Sequence, residues 1–122
     1  MDYRTFKQIL QDPEHTSPQI EKEDPWCLEQ VRELAGMNLA ELRRRSGLTI
    51  DEFADLLGYS RPSVINWLYK NSAKPAIDNF AKYVVYESII LPAYMAQKAS
   101  FLASLLEKKY PGTLDESIRI DA

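Results

Sequence analysis

The fold is decided by residues 47–67, which read GLTIDEFADLLGYSRPSVINW. Thr49 stands where a side-chain hydroxyl can cap a helix, and Glu52, three residues later, completes a capping box. Apolar side chains then recur at three- and four-residue spacing, which is typical of one buried helical face. Gly58 follows where this helix must end and the chain must turn, a position that favours glycine. The first half of the stretch therefore predicts a short amphipathic helix that ends in a tight turn.

The second half of the same stretch predicts another helix. Ser60 can cap it, and Pro62 falls in its first turn, where a missing backbone N–H costs nothing. Helical periodicity divides the remaining side chains between two faces. The inner face comprises Val64, Trp67 and Leu68. The outer face comprises Arg61, Ser63, Asn66 and Lys70.

This pattern resembles the Xre-type, lambda-repressor-like helix-turn-helix family of bacterial and phage DNA-binding proteins. The match extends from Leu39 into the helix after Pro75. It rests on Leu42-Arg43, Gly47-Leu48-Thr49, Ala54, Leu57-Gly58, Ser60, Val64, Trp67 and Lys74-Pro75. The resemblance implies an all-α bundle whose second motif helix lies in the major groove of DNA. Helix signals outside the matched residues predict extra helices at both ends of the chain.

Three positions depart from the family pattern. Ile50 stands where family members often carry a glutamine that touches a phosphate or supports a base contact. Leu68 replaces a common acidic residue, and the loop from Lys70 to Lys74 is one residue longer than usual. The first departure removes one expected DNA contact, whereas none of the three disturbs the apolar pattern.

The outer face of the second helix supplies the candidate base-reading residues. Arg61 can bond bidentately to guanine and Asn66 to adenine, while Ser63 and Ser60 suit bases or phosphates. The N-terminus of this helix also directs free N–H groups toward a phosphate. The alternative interpretation of the same residues is a solvated polar face on a small helical protein.

Four further residues are candidate backbone contacts. Lys70 and Lys74 lie at and beyond the end of the second helix, and Tyr59 lies in the turn. The hydroxyl of Tyr59 can bond a phosphate, or its ring can pack on the surface. Arg43 opens a basic run, residues 43–45, which can reach a phosphate or simply complement the dipole of the preceding helix.

The charge of the chain is unevenly distributed. The net charge of the 122 residues is −3. From Leu39 to Pro75, however, six basic residues stand against four acidic ones, a balance of +2, whereas residues 1–38 hold four basic and eight acidic residues. The positive balance therefore coincides with the motif, although an acidic total predicts weak non-specific DNA binding.

Composition argues against an enzyme and against a bound metal or cofactor. His15 and Cys27 are the only imidazole and thiol, and a metal site or a Cys/His catalytic pair needs more than one such ligand or a supporting third group. The lone cysteine fits a reducing cytoplasm. No run of 18 apolar residues occurs, and the N-terminus lacks the order of a secretory signal. We therefore expect a cytoplasmic, nucleoid-associated protein with no membrane span.

Helical patterns continue on both sides of the motif. Residues 3–11 predict a short helix, residues 12–24 an irregular connection, and Asp24-Pro25 starts a helix that Gly36 closes. After Pro75 a long apolar helical stretch follows, and Pro111-Gly112 precedes a frayed tail of about ten residues. The predicted parts are an acidic N-terminal extension (1–36), a helix-turn-helix domain (37–90) and a C-terminal helix with tail (91–122).

We expect a sequence-specific DNA-binding transcriptional regulator, most simply a repressor, that acts as a homodimer on an inverted repeat. The helices after Pro75 carry more apolar surface than one helix needs to cover a helix-turn-helix core. This excess favours dimerisation through them. Alternatively, the N-terminal helices cover this surface within one chain. Three other functions stay open: a phage or mobile-element control protein, an antitoxin that binds a toxin through the acidic extension, and a protein-interaction adaptor that no longer binds DNA.

Overall fold

The computed structural model describes residues 1–110, within which all regular structure is helical and no strand occurs. The prediction of an all-α protein is thereby confirmed. The helices are α1 (Tyr3–Gln11), α2 (Pro18–Glu21), α3 (Pro25–Ala35), α4 (Leu39–Ser46), α5 (Ile50–Leu57), α6 (Arg61–Lys70), α7 (Pro75–Val85) and α8 (Leu91–Lys109), with a π-helical segment at Tyr86–Ile90. The predicted stop at Pro111-Gly112 and the predicted tail lie outside the described residues.

The chain divides into two compact units, Met1–Ile90 and the residues from Leu91 onward. In the first unit, α1 packs against α3 and α7, and α5 packs against α6 and α7. Each of these helices, and α4 with them, contributes fully buried apolar side chains to one core. They include Phe6, Ile9, Val31, Leu34, Leu42, Phe53, Val64, Ala81 and Val85.

The N-terminal helices complete the same core as the motif helices. The ring of Tyr83 on α7 lies 4.9 Å from that of Tyr3 and 5.1 Å from that of Phe6, both in edge-on arrangement. The sequence allows two interpretations of the apolar surface after Pro75, a dimer contact or cover by the N-terminal helices. The contacts of α1 with Tyr83 show that α1 covers part of this surface within a single chain.

Side-chain caps explain where most of these helices begin. Asp2, Asp24 and Asn38 each accept a hydrogen bond from a backbone N–H two or three residues ahead. Ser17 does the same for Ile20, and Pro18 follows it as the first helical residue. The prediction that residues 12–24 are wholly irregular is therefore wrong, because this cap starts the short helix α2.

Two unusual groups are buried in the first unit. Lys82 on α7 is only 4 % exposed, within the stretch after Pro75 that the sequence pattern predicts to be an apolar helix. Cys27 on α3 is 6 % exposed and lies beside Tyr86, which is 1 % exposed. Burial, together with the interaction with the Cys27 thiol, raises the pKa of Tyr86 well above its usual value of 10.0.

The described part of the second unit is the helix α8, which buries none of its residues. Its exposed large apolar side chains are Met95, Phe101, Leu102, Leu105 and Leu106. By length and composition alone, the helical residues Pro75–Lys109 contain a window apolar enough to cross a membrane, with a mean hydropathy of 1.3 and 6 % of it buried. The expectation that no segment could span a membrane is corrected to that extent. Interspersed polar residues interrupt an apolar run without lowering its mean hydropathy much.

Candidate nucleic-acid interface

The start of α5 is held by the predicted capping box. The N–H of Thr49 donates to Oε1 of Glu52 at 3.0 Å, and the N–H of Glu52 donates to Oγ1 of Thr49 at 3.2 Å. The hydrogen bond from the Thr49 backbone lowers the pKa of the Glu52 carboxyl, and the Thr49 side chain adds to that effect. The first turn of α5 is therefore fixed by groups next to each other in sequence.

The turn after α5 depends on Gly58. Its φ of +76° lies in the left-handed region, and its N–H donates to the carbonyl oxygens of Ala54 at 2.9 Å and Asp55 at 3.2 Å. The N–H of Tyr59 also donates to Ala54, at 3.1 Å. These bonds satisfy two carbonyls of the last turn of α5, Ala54 and Asp55, and the chain then turns and enters α6.

The start of α6 is capped as the sequence predicts. Oγ of Ser60 accepts from the N–H of Ser63 at 3.4 Å and donates to Oγ of Ser63 at 2.9 Å. Both hydroxyls are thus engaged with each other, although Ser60 itself is exposed. Any contact of these hydroxyls with a ligand would share or replace this bond.

The two faces of α6 differ sharply in exposure. Val64 is fully buried, but Trp67 and Leu68 are only half-buried, so the inner face predicted for this helix is narrower than expected. Arg61 and Asn66 are exposed, and Ser63 is half-buried. The exposed part of the helix further includes Pro62, Tyr69 and Lys70.

Tyr69 is a surface residue that sequence reasoning did not select. Its side chain is 76 % exposed and lies one turn beyond Asn66 on the same helix. Residues three apart on a helix are neighbours, so the spacing from Asn66 was the signal that could have identified it. A large exposed aromatic side chain at this place adds apolar and hydroxyl contact area to the outer face of α6.

An ion pair on this face joins Arg61 to Asp51. Nε of Arg61 lies 2.8 Å from Oδ1 of Asp51, and the two side chains are 61 % and 73 % exposed. Asp51 is the second residue of α5, and Arg61 is the first residue of α6. The pairing was not predicted, because two charges ten positions apart reveal no contact until the turn between them is known.

Tyr59 follows the packing alternative of the two that its sequence position allowed. Its ring lies 4.8 Å from the ring of Trp67 at an interplanar angle of 73°, an edge-on contact. The side chain stays 41 % exposed. The contact ties the turn to α6 and covers one side of the half-buried indole.

The basic run before α5 is partly used inside the protein. Nη1 of Arg43 donates to the carbonyl oxygen of Leu48 at 2.8 Å, and Nη2 of Arg45 donates to Oε1 of Gln30 at 2.9 Å. Arg43, a candidate for phosphate contact, therefore already donates a hydrogen bond that stabilises the connection between α4 and α5. Arg44 is exposed.

The loop after α6 carries the remaining cations. Asn71 ends α6 with a left-handed φ of 48°, and Oγ of Ser72 donates to the carbonyl oxygen of Asn66 at 3.2 Å. Lys70 and Lys74 are exposed at the two ends of this loop, the latter just before Pro75 opens α7. The two amines are therefore better placed to contact a phosphate backbone than a base edge.

The exposed surface of α6 and its flanks thus includes the Arg61 guanidinium, the Asn66 amide, the Tyr69 phenol and the amines of Lys70 and Lys74, and the Asp51 carboxylate lies beside Arg61. Such groups suit hydrogen bonding to phosphates and to base edges. Among residues 1–110, no group of three or more His, Cys, Asp or Glu is arranged to hold a metal ion. Comparison with protein-family models, curated proteins and solved structures found no match to this chain.

Proposed function

We propose that this protein is a sequence-specific DNA-binding transcriptional regulator of the Xre-type, lambda-repressor-like helix-turn-helix class. In this proposal α5, the Gly58 turn and α6 form the motif, and α6 enters the major groove. The supporting observation is that α6 is anchored by the buried Val64 while Arg61 and Asn66 stay exposed on it. A repressor is the simplest form of such a regulator, and it would act in the cytoplasm on the nucleoid.

The residues divide by the type of contact that they suit. Arg61 and Asn66 read base edges, with Ser63 at the rim of the groove. Ser60, at the start of α6, places free N–H groups toward a phosphate, and Lys70 and Lys74 approach the backbone. Arg43 acts indirectly, because it is already bonded to the carbonyl oxygen of Leu48.

A homodimer is part of the proposal. Met95, Leu102 and Leu106 are exposed and recur on α8 at spacings of seven and four residues, which puts them on one face. A second copy offers an identical apolar face, and a two-fold arrangement of such faces closes on itself. Two recognition helices would then lie about 34 Å apart and require an inverted repeat.

The competing proposal is a protein-interaction adaptor that keeps the fold without binding DNA. It is favoured by the Asp51–Arg61 ion pair, which occupies a leading base-reading candidate, and by the net charge of −3. In that role, or as an antitoxin, the acidic N-terminal residues would bind a protein partner.

Selection of bound duplexes from random DNA, with the full chain, separates the two proposals. A DNA-binding regulator enriches an inverted repeat with half-site centres about 10 base pairs apart, and its affinity falls steeply with added salt. A folded protein that enriches no sequence, and binds duplex DNA at low salt no better than it binds an unrelated polyanion, contradicts the regulator and supports the adaptor.

A further inference from the structure

The ion pair between Asp51 and Arg61 engages one particular atom of the guanidinium. A guanidinium carries five N–H donors, of which the single donor on Nε points to the side of the planar group. In this protein it is Nε that lies 2.8 Å from Oδ1 of Asp51. The two terminal nitrogens form the fork used in bidentate bonding, and Nε is not part of that fork.

Both partners stand on well-defined backbone. Asp51 lies in the first turn of α5, one residue before the Glu52 of the capping box. Arg61 is the residue directly after the cap Ser60. The Gly58 turn between the two helices sets how far apart the two side chains begin. The carboxylate is therefore presented to the guanidinium from a fixed position rather than from a mobile loop.

Stability does not account for the pair. Exposed ion pairs contribute little to folding, because water screens them and two long side chains must be ordered. These side chains are 61 % and 73 % exposed. Moreover, a carboxylate on a surface proposed to meet phosphates weakens DNA binding unless it does something else there. What the pair does constrain is the direction and availability of the Arg61 fork.

Building on the proposed DNA-binding function, we propose that Asp51 is a positioning residue that directs Arg61 to guanine. With Nε held by the carboxylate, the terminal nitrogens are free to bond O6 and N7 of one guanine in the major groove. A phosphate, in contrast, competes with Asp51 for the same guanidinium and meets its negative charge. The pair thus favours the contact with guanine and disfavours the contact with phosphate. It thereby raises the ratio of the affinity for the operator to the affinity for non-specific DNA.

The test compares Asp51→Asn with Asp55→Asn, which removes the same charge one turn later on α5. The guanine in question is the operator position whose preference is lost in Arg61→Ala. Asp51→Asn is expected to lower the preference for that guanine by about tenfold and to strengthen binding to random duplex. Asp55→Asn is expected to strengthen binding to random duplex while it keeps the guanine preference.

A double-mutant cycle makes the test independent of general charge effects. If Asp51 acts through Arg61, adding Asp51→Asn to Arg61→Ala causes no further loss of base preference. The conservative Asp51→Glu, which retains a carboxylate, restores part of the preference. Thermal unfolding of each variant checks that α5 remains folded, since acidic residues in a first turn also favour the helix dipole.

The outcomes are distinguishable from failure of the proposed function. A parent protein that selects no DNA sequence overturns the function, and this inference with it. A parent that selects an operator, together with an Asp51→Asn variant whose guanine preference equals that of Asp55→Asn, overturns only the role of Asp51. An equal loss from Asp51→Asn with and without Arg61 does so as well.

Discussion

The ammonium of Lys82 lies 3.4 Å from the carbonyl oxygen of Ala35, a residue 47 positions earlier. Ala35 is the last residue of α3, where unpaired carbonyls give a helix its negative end. The same ammonium lies 3.0 Å from Oδ2 of Asp78, one turn earlier on α7. A buried positive charge therefore joins the end of α3 to α7, and its two partners compensate for the loss of water.

Lys82→Ala is predicted to lower the free energy of unfolding by roughly 2–4 kcal/mol, because it leaves Asp78 and the Ala35 carbonyl without their partner. Lys82→Met, which keeps the buried stem, should cost less and so separates packing from charge. Urea denaturation measures both. The exposed Lys70→Ala serves as a control and should change stability by less than about 0.5 kcal/mol. Equal stability of Lys82→Ala and the parent contradicts the prediction.

Gly58→Ala is predicted to destabilise the protein by about 1–2 kcal/mol through its backbone alone. The φ of Gly58 is +76°, and an added Cβ there would meet no atom within 4 Å. Gly36→Ala is the matched control, because Gly36 has a φ of −86° and its added Cβ would make an ordinary contact of 3.8 Å with the Glu33 carbonyl. Chemical denaturation should find Gly36→Ala near the parent. A cost at Gly36 as large as at Gly58 argues against a backbone origin.

The capping box predicts a pH dependence. Folding lowers the pKa of Glu52 below its usual value of 4.5, because the charged carboxylate accepts from Thr49. The folded state thus binds this proton more weakly than the unfolded state. The stabilisation is present above the usual pKa and is lost as pH falls through the folded-state pKa. Glu52→Gln keeps an acceptor but cannot ionise. The stability gap between parent and Glu52→Gln should be larger at about pH 7 than at about pH 3; an unchanged gap refutes the assignment.

Base contacts and backbone contacts should separate by substitution. Arg61→Ala and Asn66→Ala are each predicted to weaken operator binding by roughly 1–3 kcal/mol and to relax base preference at different positions. Lys74→Ala should weaken binding to all sequences equally and reduce the salt slope by about 1. Titration of operator and random duplexes across salt concentrations measures these effects, with circular dichroism to confirm folding. Unchanged binding by folded Arg61→Ala and Asn66→Ala supports the adaptor instead.

Charge on one face of α8 should abolish the proposed dimer. Leu102→Glu combined with Leu106→Glu places two carboxylates on the exposed apolar face and should yield a species of 14.1 kDa. Ser104→Glu adds charge on the opposite side of the helix and should leave the dimer intact. Sedimentation at micromolar concentration distinguishes them. A parent protein that sediments at 14.1 kDa with and without DNA contradicts the dimer. In a separate flotation assay, a parent protein that floats with lipid vesicles indicates that Pro75–Lys109 binds a membrane instead.

Local chemistry explains what could be predicted from the sequence. The caps at Thr49 and Ser60 and the turn at Gly58 each depend on residues within four positions of one another, so their side chains announce them. Ser17-Pro18 has the same cap-then-proline order as Asp24-Pro25. The apolar pattern does not separate this segment from an irregular connection, because α2 spans only four residues, too few for an apolar period to emerge.

Contacts between residues that are well separated in the sequence account for the features that the sequence pattern does not predict. A lysine among apolar residues reads as solvent-facing, and only the end of α3 beside it makes burial of Lys82 favourable. The Asp51–Arg61 pair likewise depends on how the turn orients two helices. The edge contact of Tyr59 with Trp67 also depends on the turn, so the period of α6 alone does not predict it.

The chain contains a single thiol, and it is buried against Tyr86. A thiol-specific reagent can therefore attack this protein at one place only, and it must wait for an opening of the structure that exposes Cys27. Where reclosure is faster than the chemical step, the ratio of the labelling rate to that of an unfolded peptide gives the equilibrium constant for this opening. Cys27 thus makes the unaltered protein its own reporter of how often its core opens around α3.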